Sequence, residues 1–493
     1  MPGERVPAPG SDPGKEPFVR ILRRRYLIAL VSAVAIGAFI LPLGSPSTIA
    51  KVSSGGRATA HRAGGKKVSA GKTPKAQLLT VGHDALEPTL GVTKEKTLFF
   101  AAAGRIVGEG TAIMKSLDGG RSWEDTSPGV LGRHLHPITL DPYIWVDEPT
   151  GRLFSIDLTV ACSYMSFSDD QGETWTTNPL ACGRPVNDHQ TLFGGPPALS
   201  PTAGYPHVLY YCWNDFGAGT SCSKSLDGGI GWVSTGQPAF LGVDPGNDQG
   251  SRFQCGGFIG HGVVDGDGVV YLPKEHCGRP FLGISRDEGT TWEHVQVSDL
   301  PTEAFGSDTS VAVDKNGTIY YLFQSMKDRQ PYLVFSKDDG KSWSRPKMVG
   351  HPDVNEMSLP TLDVGKPGAV ALAYVGSTNG PYSRCGLDCT DADYAKTTWN
   401  GYIGMSPNVF AKEPVFFSAP ANHPSDPIFR GRCDFSTRCG PILDFIDVEI
   451  SPDGTPYGSF VDACIGPCVE AETAMENAAA GIAGRLVGGP RLR

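Results

Sequence analysis

SLDGGRSW at 116–123 recurs four more times along this 493-residue chain, as SDDQGETW at 168–175, SLDGGIGW at 225–232, SRDEGTTW at 285–292 and SKDDGKSW at 336–343. The shared pattern is Ser-x-Asp-x-Gly-x-x-Trp, and self-similarity at a period of roughly 50 to 60 residues marks a repeat architecture. In each copy the acid (Asp118, Asp170, Asp227, Asp287, Asp338) can accept hydrogen bonds from the amides of a tight turn, and the Gly supplies a left-handed residue. The closing indole (Trp123, Trp175, Trp232, Trp292, Trp343) gives a short strand an apolar anchor. Each copy is therefore expected to be a hairpin turn, and these ten residues to be structural.

The motif resembles the Asp box, or BNR repeat, of the sialidase-like β-propellers. That resemblance implies an all-β ring of four-stranded blades, with the boxes at the blade periphery, far from any central pocket. Composition agrees, since 63 Gly and 40 Pro suit many short strands joined by tight turns. A second pattern recurs between the boxes: TLDPYIWVDEPTGRLFSI from Thr139, GHGVVDGDGVVYLP from Gly260, SDTSVAVDKNGTIYYLF from Ser307 and DFIDVEISPDGTPYGSF from Asp444. These read as the two inner strands of a blade joined by a Gly-containing turn. On that phasing blades begin near His83, His136, Asn187, Gly256, Phe305, Asn355 and Leu443, which predicts a seven-bladed β-propeller, with six blades as the alternative. The sixth repeat carries TTWNGYIGMSPNVF and EPVFFSAP in place of a box and outer strand, followed by a Cys-bearing insertion at 423–439. The seventh is one strand short, a gap that AQLLTVG at 76–82 would fill by pairing with AAAGIAGRLVGG near the other end of the domain.

Ahead of the repeats, residues 1–25 hold Arg20, Arg23, Arg24 and Arg25 and read as a basic cytoplasmic region or n-region. The uncharged stretch YLIALVSAVAIGAFILPL at 26–43 is long enough to cross most of a bilayer. It reads as the core of a signal peptide cleaved after Ala50, or equally as an uncleaved transmembrane anchor. RRRYLI also loosely resembles a twin-arginine signal. Either way the expected location is secreted or extracellular and membrane-anchored, with membrane contact only through this segment. Residues 44–75 contain no acid and few apolar groups, and read as a basic flexible linker, which leaves 76–493 as the folded domain.

The first 75 residues hold 13 Lys or Arg against 3 acids, so the remainder, with 30 basic and 49 acidic residues, carries a formal charge of −19. A strongly acidic globule repels phosphates, which argues against a nucleic-acid partner and favours cations or hydroxyl-rich ligands. The twelve cysteines fall in six close pairs: Cys162 with Cys182, Cys212 with Cys222, Cys255 with Cys277, Cys385 with Cys389, Cys433 with Cys439 and Cys464 with Cys468. An even count confined to the presumed exported portion reads as disulfides, with neighbour pairing the first expectation and cross-pairing among the last six the alternative. Zinc is the competing reading, disfavoured by export and by the lack of any Cys-x-x-Cys.

In a propeller the start of each innermost strand faces the axis, which brings Glu87, Asp141, Asp188, His261, Asp308, Glu356 and Asp444 to one mouth. Six acids there could hold a calcium ion or sugar hydroxyls, or supply a general acid and base for glycoside cleavage. Capping of strand starts is the structural alternative for each, and a buried, hydrogen-bonded role for His261 and His189. Sialidases hold the substrate carboxylate with three arginines, the first in a Phe/Tyr-Arg-Ile-Pro motif, and use a tyrosine nucleophile assisted by a glutamate. Here that opening reads HDALEPTL, so Glu87-Pro88 stands where Arg-Ile-Pro belongs, and an acid there would repel the sugar. Arg252, Arg279 and Arg384 lie near blade ends but form no recognisable triad. No Ser-His-Asp signature or Gly-rich phosphate loop is present. Two functions remain: a monomeric, non-catalytic module that binds a glycan or an extracellular protein, which is preferred, and a glycoside hydrolase or lyase of non-sialidase specificity. Whether the chain is an enzyme stays open at this point.

Overall fold

The computed structural model describes residues 53–82, 85–104, 111–128, 139, 141–159, 162–180, 187–215, 219–241, 257–302, 309–434, 437, 439–465, 468 and 479–493. Seven antiparallel sheets form the seven blades of a β-propeller. Their innermost strands are Leu86–Val92, Pro142–Asp147, Asn187–Gly195, Val263–Val264, Ser310–Val313, Glu356–Val364 and Asp447–Ile450, one for each expected blade opening. Each sheet runs outward through two longer strands to a short fourth, such as Glu124–Asp125 in blade 1 or Lys347–Met348 in blade 5.

Burial follows that order. The second strands Leu98–Ala103 and Val370–Ser377 are buried along their whole length, whereas Glu124–Asp125 is exposed. A middle strand has a neighbouring blade on each face, so its sequence reads as a continuous apolar run rather than an alternation. The apolar clusters accordingly lie between blades: Leu79 and Tyr457 of blade 7 pack with Leu90 and Phe100 of blade 1.

The boxes are turns between third and fourth strands, and also joints between blades. Ser116 Oγ donates to Asp118 Oδ1 (2.9 Å) and accepts from the Gly120 amide (2.8 Å), while Asp118 Oδ1 accepts the Arg121 and Ser122 amides (2.8 and 3.0 Å). The other four repeat this pattern around Asp170, Asp227, Asp287 and Asp338. Hydrogen bonds from Thr174 hold Asp170 below the usual carboxylate range. Gly172 (φ 85°) sits so close to blade 1 that a Cβ would lie 2.6 Å from Thr126 Oγ1. Trp175 Nε1 donates to the carbonyl of the same Thr126 at 2.8 Å. The five box indoles are half-buried, as befits residues that seal a seam rather than fill a core.

Blade 7 is a composite. Lys75–Thr80 forms its fourth strand, paired with Ala480–Val487 from Lys75↔Val487 to Thr80↔Ile482, and this closes the ring. The segment just before it differs from expectation. Residues 53–75 are no free linker: Ser53–Arg57 adds a fifth strand to blade 7, and Thr59–Arg62 a fifth strand to blade 6. Edge pairing draws on backbone groups, which any composition supplies, and small side chains suit the site. Ala58 and Ala60 are buried, and Gly55 has its missing Cβ 2.9 Å from the Ala76 carbonyl. Residues 1–52, including the basic region, the apolar stretch 26–43 and the start of the expected linker, lie outside the described residues. No described helix is long and apolar enough to cross a membrane.

In blade 6 the third and fourth strands are Thr398–Ser406 and Val415–Pro420, joined by a degenerate box in which Asn408 Oδ1 accepts the Phe410 amide at 3.0 Å. A helical insertion with Tyr382–Cys385 and Asp391–Tyr394 precedes them. Disulfides join Cys212–Cys222, Cys385–Cys389, Cys433–Cys439 and Cys464–Cys468, all sequence neighbours. Cys277 is also oxidised, while Cys182 and Cys255, the expected partners of Cys162 and Cys277, lie outside the described residues. No described cysteine is free.

Candidate functional site: the axial channel

At the mouth the acids do not form an open ring. Glu87 is fully buried, and its Oε1 accepts the Asp444 amide at 3.1 Å, tying blade 1 to blade 7. Asp141, 3 % exposed, accepts the His189 amide on Oδ2 at 3.0 Å, tying blade 2 to blade 3. Glu356 is buried in an ion pair: Oε1 accepts Arg329 Nη1 (2.7 Å) and the Tyr394 hydroxyl (2.6 Å), and Oε2 accepts the Tyr382 amide (3.2 Å). Of the two roles open to these three, ligand contact or capping of strand starts, the hydrogen bonds are of the capping kind, satisfying donors that burial would otherwise strand. Asp188 is half-buried and Asp444 is 7 % exposed, while Asp308 and Arg252 lie outside the described residues. Arg279 donates to the adjacent Gly278 carbonyl, and Arg384 is exposed on the blade 6 insertion near Asp393 (3.7 Å).

The described residues that meet on the axis include His189, His261, Thr309, Ser310, Thr361 and Phe445, around a cavity of about 10 Å³, the size of one water. His189 stacks on Phe258 (5.0 Å) and meets Phe445 edge-on (5.4 Å), while His261 stands edge-on to Tyr143 (5.0 Å). Burial, reinforced by His189, pushes the His261 imidazole down to about 3, so it is neutral at physiological pH.

Three innermost strands open with the same irregularity. The ladders slip between Leu86 and Thr89, between Asp188 and Thr191, and between Ser358 and Thr361. Each slip contains a non-glycine residue in the left-handed region: Glu87 (φ 50°), His189 (φ 49°) and Leu359 (φ 56°). Such bulges re-aim side chains, at about 1 to 3 kcal/mol of backbone strain each. They place the Glu87 carboxylate and the His189 amide at the blade junctions described above. A proline inside a strand pattern is the sequence signal, present as Pro88 and Pro360.

Further along the axis the character changes. Asp447 and Glu449 alternate with the buried Val448 and Ile450 on the innermost strand of blade 7, which sets both acids on one face. Asp447 Oδ2 accepts the Leu90 amide at 3.0 Å, and its Oδ1 lies 3.8 Å from His261 Nδ1. Asp363, at the end of the innermost strand of blade 6, accepts the Ile450 amide on Oδ2 at 2.7 Å. Burial raises the proton affinity of all three carboxyls, and Asp363 and Asp447 add repulsion at Glu449.

These acids lead to a cavity of about 380 Å³ where the innermost strands exit, at the opposite end from the mouth. Its wall includes Trp145, stacked on Phe154 (5.5 Å), and the Asp147 carboxylate, which faces His207 Nδ1 at 2.9 Å and accepts the Thr150 and Tyr205 hydroxyls. Arg493 Nη1 donates to Glu148 Oε1 at 2.7 Å on the same wall. Among the described residues no three His, Cys, Asp or Glu side chains come together as a metal site, so these residues do not fit the calcium ion considered for the mouth.

Fold and channel together define a closed, seven-bladed propeller with Asp-box joints and ligand-sized space at the exit end of its axis. No family model matches the chain, and no curated protein matches it. Among solved structures it is similar to a Hadza microbial sialidase (17 % identity, TM-score 0.41), covering 61 % of this chain and 66 % of that one. It is also similar to a protein of unknown function from Dyadobacter fermentans (13 %, TM-score 0.40), covering 83 % and 97 %. A third is the six-bladed fucose-recognising lectin of Aleuria aurantia (11 %, TM-score 0.43), covering 70 % and 99 %. At such identities, ligand and activity have to be read from this chain's own residues.

Proposed function

We propose that this chain is an exported, sialidase-like propeller that binds a glycan without cleaving it. The observation that carries the reading is the state of the mouth. Glu87 stands where a carboxylate-binding arginine would be needed, and Glu87, Asp141 and Glu356 are held by protein donors rather than presented as an acid and base pair. The four described disulfides support export, because they require an oxidising compartment. A glycan array and a panel of fluorogenic glycosides, sialosides included, test the proposal on the purified chain. Array binding with no turnover is the expected result, and turnover of any member would replace a binding module with an enzyme. The hydrolase reading draws its support from the exit cavity, where carboxyls of raised proton affinity lie on the same wall as the Asp147–His207 pair.

A further inference from the structure

The exit cavity gathers acidic side chains around a ligand-sized space. Its wall carries five carboxyl groups against one guanidinium, and most are already answered. Asp147 has three partners, Glu148 has Arg493, and Asp363 accepts the Val364 and Ile450 amides. Glu449 receives no hydrogen bond from any described residue, although its backbone is fixed between the buried Val448 and Ile450. Burial and the neighbouring Asp363 and Asp447 raise its proton affinity, against the opposing charge of Arg493. A positive group entering the cavity would instead let it ionise and pair.

The space is too large for one ion. A volume of about 380 Å³ falls in the range that accommodates a small organic ligand, and among the described residues no three acids converge on a metal position. Trp145 supplies an aromatic ring on the wall, the surface on which a sugar ring packs. We propose that this cavity binds an amino sugar with a free ammonium group, the ammonium against Glu449 and Asp363, the ring on Trp145, and the hydroxyls towards His207 and Asp147. Arg493 acts there as a built-in competitor, because its guanidinium occupies part of the same field of acids. The proposal rests on the glycan-binding reading and places the site at the exit rather than at the mouth.

Calorimetric titration of the full chain with glucosamine, with glucose and N-acetylglucosamine as neutral controls, tests it. Glucosamine should bind at least about tenfold more tightly than either control, and Glu449→Gln should weaken it about tenfold, the usual effect of removing one charge-assisted contact. Arg493→Gln should tighten it, a direction that misfolding does not produce. Binding should strengthen as pH rises through about 6, where Asp363 ionises. Equal affinity for the three sugars, no glucosamine binding, or parallel weakening in both variants would overturn the site. Array binding that persists unchanged in Glu449→Gln would overturn this site and leave glycan binding intact. A blank array with glucosamine still bound would do the reverse.

Discussion

Replacing Glu356 by Gln keeps the outline of a buried side chain and removes only its charge. Glu356 is 0 % exposed and Arg329 3 %, with Nη1 and Oε1 2.7 Å apart. In the variant the guanidinium keeps the Cys433 carbonyl (3.1 Å) and the Tyr394 hydroxyl (3.3 Å), both neutral acceptors. Breaking a buried ion pair by neutralising one partner destabilises a fold by about 3 to 5 kcal/mol, a large share of the 5 to 15 kcal/mol typical of a domain. The damage should concentrate in the blade 6 insertion, because Glu356 also holds the Tyr382 amide and the Tyr394 hydroxyl. Urea unfolding of the wild type, Glu356→Gln, Arg329→Met and the double variant Arg329→Met/Glu356→Leu gives the coupling, and hydrogen exchange locates it. The double variant should recover most of the loss, since it removes both charges. Single variants within about 1 kcal/mol of wild type, or a double variant that loses the sum of the two, would refute the reasoning.

Trp175→Ala should lower stability by about 2 to 4 kcal/mol and Trp175→Phe by about 1, the latter through the lost bond to Thr126; unchanged melting temperatures for Ala variants at all five boxes would rule out their role as joints. Burial holds His61 down to about 4 and lowers His351, and these rings meet Ser418 and Thr59 at the strap on blade 6. A depressed histidine stabilises the fold above its unfolded value of about 6.5, and that contribution is lost as pH falls towards the folded value. Amide exchange at 53–62 should therefore accelerate from about pH 6.5 to 4, and less so in His61→Phe. Glu449 has the opposite sign: a raised carboxyl favours the fold below about pH 4 and loses that contribution as pH rises. Glu449→Gln should thus melt higher than wild type at pH 8 and converge with it in acid. Thiol titration of the unreduced, denatured chain should find no free cysteine among Cys212, Cys222, Cys385, Cys389, Cys433, Cys439, Cys464 and Cys468.

The ring was legible because its joints are written in the chain. Five boxes with an invariant Asp, Gly and Trp fix both the turn and its spacing, and seven recurring strand openings favour seven blades over six. Even the composite blade was visible, since AQLLTVG is a strand with no local partner. The strap at 53–62 was not, because its pairing uses main-chain groups and its side chains carry almost no apolar signal. At the mouth the described acids stand at blade openings, but sequence does not reveal which donors a neighbouring blade brings. Nothing near Glu356 announces Arg329, which comes from the adjacent blade. The exit cavity is lined by the ends of innermost strands rather than their beginnings, and its one sequence signal is DVEI at 447–450, where acids alternating against Val and Ile place Asp447 and Glu449 on the axis.

The composite blade sets a timetable for synthesis. Gln77 and Arg485, which meet across its seam, are 408 residues apart, so the strand at Lys75–Thr80 is made early and stays unpaired until nearly the whole ring has followed. During that interval a sticky segment would find wrong partners, its own ribosomal neighbours included. The stretch that waits alongside it is rich in small and basic residues and free of acids and large apolar groups, a composition that resists premature association. The composition that conceals the strap from a sequence reader also keeps it soluble until blades 6 and 7 exist to receive it.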